Sequence, residues 1–151
     1  MHYEHIWRKS LSPNETVEYE FSIGGRYRML NLIGGVAIGV LTLLASPTIG
    51  LLLIGLSVFS FGFYLRAANA YAFTNGRILV HRGWLSTKLI STDYSKITDI
   101  TVNEPFLHRI IFQTGSIEIV TAGTNREKVI LANVEHPYKI KAKLDELRQT
   151  H

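Results

Sequence analysis

The chain has 151 residues, a net charge of +4 at pH 7 and no cysteine. The missing cysteine excludes a disulfide framework, thiolate catalysis and a cysteine metal site, and fits a reducing compartment. Residues 1–28 carry four basic and four acidic side chains and residues 67–151 eleven and eight; this balance suits solubilising charge first and an anionic lipid surface second.

Three parts are expected in chain order. Residues 1–28 form an N-terminal segment in which Val17, Tyr19 and Phe21 alternate with Glu18, Glu20 and Ser22. That period of two suits a strand beside the main domain. The apolar run begins only after these mixed residues, so it reads as a retained anchor and not as a cleaved signal.

Residues 29–66 carry the strongest signal. From Met29 to Leu65 there is no charged side chain, and about 18 apolar residues already suffice to suggest a span. One helix of this length would measure about 55 Å against a hydrocarbon core of about 30 Å. Two arms fit better, placed at 29–45 and 49–65, with Pro47 disfavouring helical backbone at Ser46. Arg26 and Arg28 flank the first arm and Arg66 the second. By the positive-inside rule both termini, and everything outside the arms, are expected on the cytoplasmic side of the cell membrane. A re-entrant hairpin that stops short of the far side is the alternative, because both arms are short. Gly35 and Gly39 on the first arm, and Gly55 and Gly62 on the second, are the candidate packing positions.

Residues 67–151 change to short β runs with turn residues between them. Tyr71 to Thr74 leads through Asn75-Gly76, a hairpin signal, to Arg77–Arg82. Trp84 to Ser91 follows, then a turn at Tyr94-Ser95-Lys96 and an alternating strand around Thr98, Ile100 and Val102. After Pro105, the apolar and basic patch of Phe106, Leu107, His108 and Arg109 is expected as one helical turn or a loop. It either faces a partner or the membrane, or tucks its apolar residues beneath the sheets. Strands around 116–121 and 126–132 precede a helix opening at His136-Pro137. Its Ile140, Leu144 and Leu147 form one apolar stripe.

The order of Tyr71-x-Phe73-Thr74-Asn75-Gly76-Arg77-Ile78, Arg82-Gly83, Tyr94-Ser95-Lys96-Ile97-Thr98-Asp99-Ile100, Thr121-Ala122-Gly123 and Asn133-Val134-x-His136-Pro137 resembles the bacterial pleckstrin-homology (PH) domain family, in its membrane-anchored branch. Leu11-Ser12-Pro13-Asn14-Glu15 ahead of the hairpin matches as well. The family often has two glycines before its fifth-strand region; here Gln113 stands at the first and Gly115 keeps the second. The resemblance implies an α+β membrane protein: a two-helix transmembrane hairpin, then a PH-like antiparallel β-barrel or sandwich capped by a C-terminal α-helix.

No catalytic constellation is expected. The six histidines show no ligand spacing for a metal, no phosphate loop or nucleophile elbow occurs, and aromatics do not interleave with basic residues as nucleic-acid binding would need. No cofactor, metal or nucleic acid is expected. The functional expectation is a non-catalytic, membrane-anchored interaction or assembly module, an accessory or structural subunit of a membrane protein complex. Its partners would be membrane lipid and either a membrane protein or a second copy. Recognition of anionic lipid headgroups is the alternative. Arg77, Arg82, Lys88, Lys96, Phe106, Leu107, His108 and Arg109 are the candidate contacts.

Overall fold

The structure is a computed structural model describing residues 4–65, 68–83, 87–106, 108–122 and 128–150. A short helix α1 (Glu4–Trp7) precedes strand β1 (Val17–Ser22). Helices α2 (Gly25–Leu43) and α3 (Pro47–Phe59) follow, and α3 runs into a π-helical turn at Ser60–Tyr64. Then come β2 (Asn69–Thr74), β3 (Arg77–Arg82), β4 (Lys88–Asp93), a 3-10 turn (Tyr94–Lys96), β5 (Ile97–Asn103), a second π-helical turn (His108–Phe112), β6 (Thr114–Thr121), β7 (Lys128–Glu135) and α4 (Pro137–Thr150).

The strands make two antiparallel sheets, β1-β2-β3-β4 and β5-β6-β7. The segment ahead of the hairpin is a genuine strand: Tyr19, Glu20, Phe21 and Ser22 pair with Phe73, Ala72, Tyr71 and Ala70. The hairpin is thus an insertion between two neighbouring strands. Tyr71, Phe73, Ile78 and Val80 of the first sheet face Ile117, Ile119, Val129 and Leu131 of the second across one core. The stripe Ile140, Leu144 and Leu147 completes this core from α4, as amphipathic periodicity requires.

The β2–β3 connection falls at Asn75-Gly76, and Phe73 pairs with Ile78. Neither loop residue adopts positive φ, so this is not the mirror-image turn that Asn-Gly favours. Thr74 closes the loop instead: its hydroxyl donates to the Arg77 carbonyl at 3.0 Å and accepts from the Arg77 amide at 3.1 Å. Before β6, Gln113 takes a left-handed backbone with φ of 50°, where glycine carries no steric cost. At Gly115 a β-carbon would come within 2.7 Å of Glu104 Cγ, so close packing explains the retained glycine. Gln113→Gly is expected to raise stability by about 0.5–1 kcal/mol, net of the added freedom of the unfolded chain; urea unfolding of the two proteins measures it.

The transmembrane hairpin expected from the sequence requires correction. Helices do form near the expected places, yet among the described residues no helix is long and apolar enough to cross a membrane. The first arm begins at Gly25 and not at residue 29, so its first turn takes in Arg26 and Arg28, with Asn31 one turn later. Its uncharged part, Met29 to Leu43, which still includes Asn31 and Thr42, measures about 22 Å. The second arm is α-helical over only 13 residues, about 20 Å against a core of about 30 Å. The expectation of a multi-pass cell-membrane protein falls with the spans, and so does the orientation drawn from Arg26, Arg28 and Arg66, because the positive-inside argument presupposes a crossing.

Candidate interaction surfaces

The hairpin is built by close approach of its two arms. A β-carbon on Gly35 would overlap the Ser57 side chain, and one on Gly39 would lie 2.6 Å from Ile54 Cγ1. Gly50, which the sequence reading did not single out, is equally tight: its β-carbon would meet the Gly39 carbonyl oxygen at 2.8 Å. Gly55 and Gly62 have open space around the β-carbon position and do not hold the described arms together. Pro47 starts α3 in its first turn, where its missing N–H costs nothing.

With the glycines turned inward, large apolar side chains face outward. Met29, Ile33, Ile38, Val40 and Leu41 are exposed on α2, as are Ile49, Leu51, Leu52, Leu56, Val58 and Phe59 on α3. Leu44 at the tip is 90% exposed. Single exposed leucines need no explanation, but a contiguous apolar surface of this kind marks an interaction site.

The base of the hairpin rests on the domain through the patch after Pro105. Tyr27 stacks on His108, with ring centroids 6.1 Å apart, and lies 5.4 Å from the Phe112 ring. His108 Nδ1 lies 3.4 Å from the Thr114 hydroxyl. The patch therefore divides. His108 and Phe112 turn inward against α2, whereas Phe106, Ile110 and Ile111 remain exposed. Leu107 and Arg66 lie outside the described residues.

The remaining basic candidates are scattered. Arg77 is engaged by Glu15 through two hydrogen bonds, Nε to Oε1 at 2.8 Å and Nη2 to Oε2 at 2.7 Å. It also donates to Ser91 Oγ and to the Ser10 carbonyl. The guanidinium holds the Glu15 carboxyl down at about 2, and the carboxylate in turn raises the Arg77 pKa. Arg82 donates to the Ile130 carbonyl, bridging the two sheets. Lys96 pairs with Asp93 at 3.0 Å on the surface. Lys88 and Arg109 are exposed. Arg82 and Lys88 stand opposite each other at one end of the β3–β4 ladder, Arg77 faces Asp93 at the other end, and Arg109 lies on the turn after β5, so the five cations do not converge on one site. Among the described residues no group of three or more His, Asp or Glu side chains is arranged to hold a metal ion.

Sequence reasoning missed two anchors of the N-terminal segment. Trp7 is 1% exposed against Ala70, Ala72 and Leu79, and Glu15 is the partner of Arg77. A signal for the first exists in Ala70-x-Ala72, two small residues on the face of β2 opposite Tyr71 and Phe73. Small side chains leave room for something to pack over them.

The sequence profile of the bacterial PH domain matches residues 27–148. A search of curated proteins returns no match. Among solved structures, the crystal structure of a DUF1696 family protein with a pleckstrin-homology domain from Shewanella loihica is similar, with a TM-score of 0.54 over 97% of this chain and 91% of that one. Sequence identity is 9%, so this likeness speaks for the fold alone.

Proposed function

We propose, from the premise that this chain belongs to the bacterial PH domain family, that it is a non-catalytic interaction and assembly module whose helical hairpin is the docking element. One observation carries the reading. A body with a complete core of its own projects two packed helices whose outward side chains are almost all apolar. Such a surface is stabilised by removal from water, at roughly 25 cal/mol per Å², so the hairpin requires an apolar partner. In this role the chain is an accessory or structural subunit of a larger complex.

A second reading has its own support. The exposed residues of α3, Ile49, Leu51, Leu52, Leu56, Val58 and Phe59, fill the half of that helix turned away from α2, and those of α2 fill the half turned away from α3, so apolar side chains surround the pair. A single protein surface covers one side of a helix, whereas lipid covers every exposed side. In that case the hairpin enters an apolar layer from one side without crossing it. Headgroup recognition by Arg77, Arg82, Lys88, Lys96 and Arg109 has less support, since Arg77, Arg82 and Lys96 already hold partners.

Light scattering on the purified full chain tests the module. Wild type is expected to self-associate in detergent-free buffer and to become disperse in mild detergent. A variant with Leu44, Leu51, Leu52 and Leu56 replaced by Gln is expected to stay monomeric without detergent. Flotation with phosphatidylcholine vesicles identifies lipid as the occupant; a fixed stoichiometry that survives detergent identifies protein. A wild type that is monomeric without detergent and ignores vesicles would sink the proposal.

A further inference from the structure

A cavity of about 380 Å³ opens where β1 ends, α2 begins and the β7–α4 junction turns. Its apolar wall includes Tyr19, Phe21 and Ile140, and its charged groups are Arg28, Glu135 and Lys139. Arg28 comes from the first turn of α2 and Lys139 from the first turn of α4. Two cations thus arrive from separate elements at one concave site. Neither forms an ion pair among the described residues; the Arg28 guanidinium lies over the Phe61 ring, 5.7 Å from its centroid, and its Nε is shielded from solvent without a hydrogen-bond partner. The first turn of α2 has no side-chain cap and no acidic residue, so nothing on that helix offsets the positive charge.

Paired cations in a recess repel one another, and a bound anion relieves the repulsion. Arginine suits a phosphoryl group because its planar fork can bind two oxygens. Glu135 would repel a bare anion, but as an ionised acceptor it suits a hydrogen-bond donor carried beside the phosphate. The geometry points to a binding site for a glycerol-phosphate-like group, in which Arg28 and Lys139 take the phosphoryl oxygens, Glu135 accepts from a hydroxyl, and Tyr19 and Phe21 cover the carbon skeleton. This site is separate from the scattered basic residues on the strands, and it does not depend on what covers the hairpin.

The same chemistry occurs in free glycerol 3-phosphate and in the headgroup of phosphatidylglycerol, so the experiment uses both. Calorimetry measures glycerol 3-phosphate binding to the full chain in mild detergent. Cosedimentation compares vesicles containing phosphatidylglycerol with vesicles of phosphatidylcholine alone. Saturable binding of at least one probe is expected, weakened about tenfold or more by Lys139→Gln and by Arg28→Gln, a loss of roughly 1.4 kcal/mol. Lys143→Gln, which removes a cation paired with Glu146 on α4, is expected to leave binding unchanged. Binding of the soluble probe indicates a free phosphate ester as ligand; a preference only for phosphatidylglycerol vesicles indicates the lipid headgroup. Lys139 is exposed, so its replacement tests the site even if the Arg28 variant folds poorly. The inference is overturned if neither probe binds, if Lys139→Gln leaves binding intact, or if Lys143→Gln weakens it equally.

Discussion

Trp7→Ala is expected to destabilise the protein by about 3–4 kcal/mol, read as a lower urea midpoint with a similar slope. The indole is 1% exposed and covers the side of the first sheet that faces away from the main core. Every residue of β2 from Ala70 to Thr74 is buried, which an ordinary half-exposed strand would not show. Tyr71 and Phe73 fill the main core while Ala70 and Ala72 lie beneath the indole. Truncating Trp7 would leave a void that two alanines and Leu79 cannot fill. Trp7→Phe should cost much less, since it keeps most of the apolar contact and removes the indole N–H, which is buried without a hydrogen-bond partner among the described residues. Equal losses for the two variants would show that Trp7 does not hold the sheet.

The second large effect is at the Glu15–Arg77 pair and depends on pH. The Glu15 carboxylate is 8% exposed and its partner guanidinium 25%. Arg77 hydrogen bonding lowers the Glu15 pKa from 4.5 to about 2. A depressed carboxylate stabilises the fold at pH values above its unfolded pKa, and the contribution disappears as pH falls through the folded one. The stabilisation should therefore be full above about pH 5 and fade between about pH 4.5 and 2. A shift of this size corresponds to about 3 kcal/mol, discounted to about 2 for the partly exposed partner. Glu15→Gln should cost about 2 kcal/mol at pH 7 and little near pH 2.5. Unfolding measured at both values gives the test: an equal cost at both would mean that packing, and not the ion pair, holds the segment. Arg77→Ala should cost more at pH 7, because it leaves Glu15 shielded and unpaired.

Much of the domain was legible because its signals are local. The alternation of Val17, Tyr19 and Phe21 gave β1, the Asn75-Gly76 position gave the β2–β3 hairpin, and the spacing of Ile140, Leu144 and Leu147 gave the buried face of α4. Each rests on a period of two or 3.6 that a chain shows before it folds. The hairpin was legible in kind and wrong in consequence. Absence of charge located both helices, but it did not reveal that the first would start at Gly25 and include Arg26 and Arg28, or that the second would leave α-helical geometry after Phe59. The glycines show the same division. Gly35 and Gly39 pack the arms, Gly55 does not, and Gly50 does; seven-residue spacing marks a face of a helix but not which face meets the neighbour.

The candidate contacts were harder still. Arg77 and Arg82 looked like surface cations, yet one is held by Glu15 and the other by the Ile130 carbonyl, partners 62 and 48 residues away in the chain. Arg28 was expected only to flank a span, and it lines a cavity with Lys139. By itself the sequence determined the element types, the strand order of the hairpins, the apolar stripe of the last helix and the apolar character of the inserted pair. Those properties come from backbone propensity and side-chain periodicity within a few residues. Only the tertiary structure decided how far each helix of the pair extends, that Trp7 and Glu15 tie the N-terminal segment to the first sheet, and which cations share a recess. These are matters of through-space packing, and they depend on residues that meet only after the chain has closed on itself.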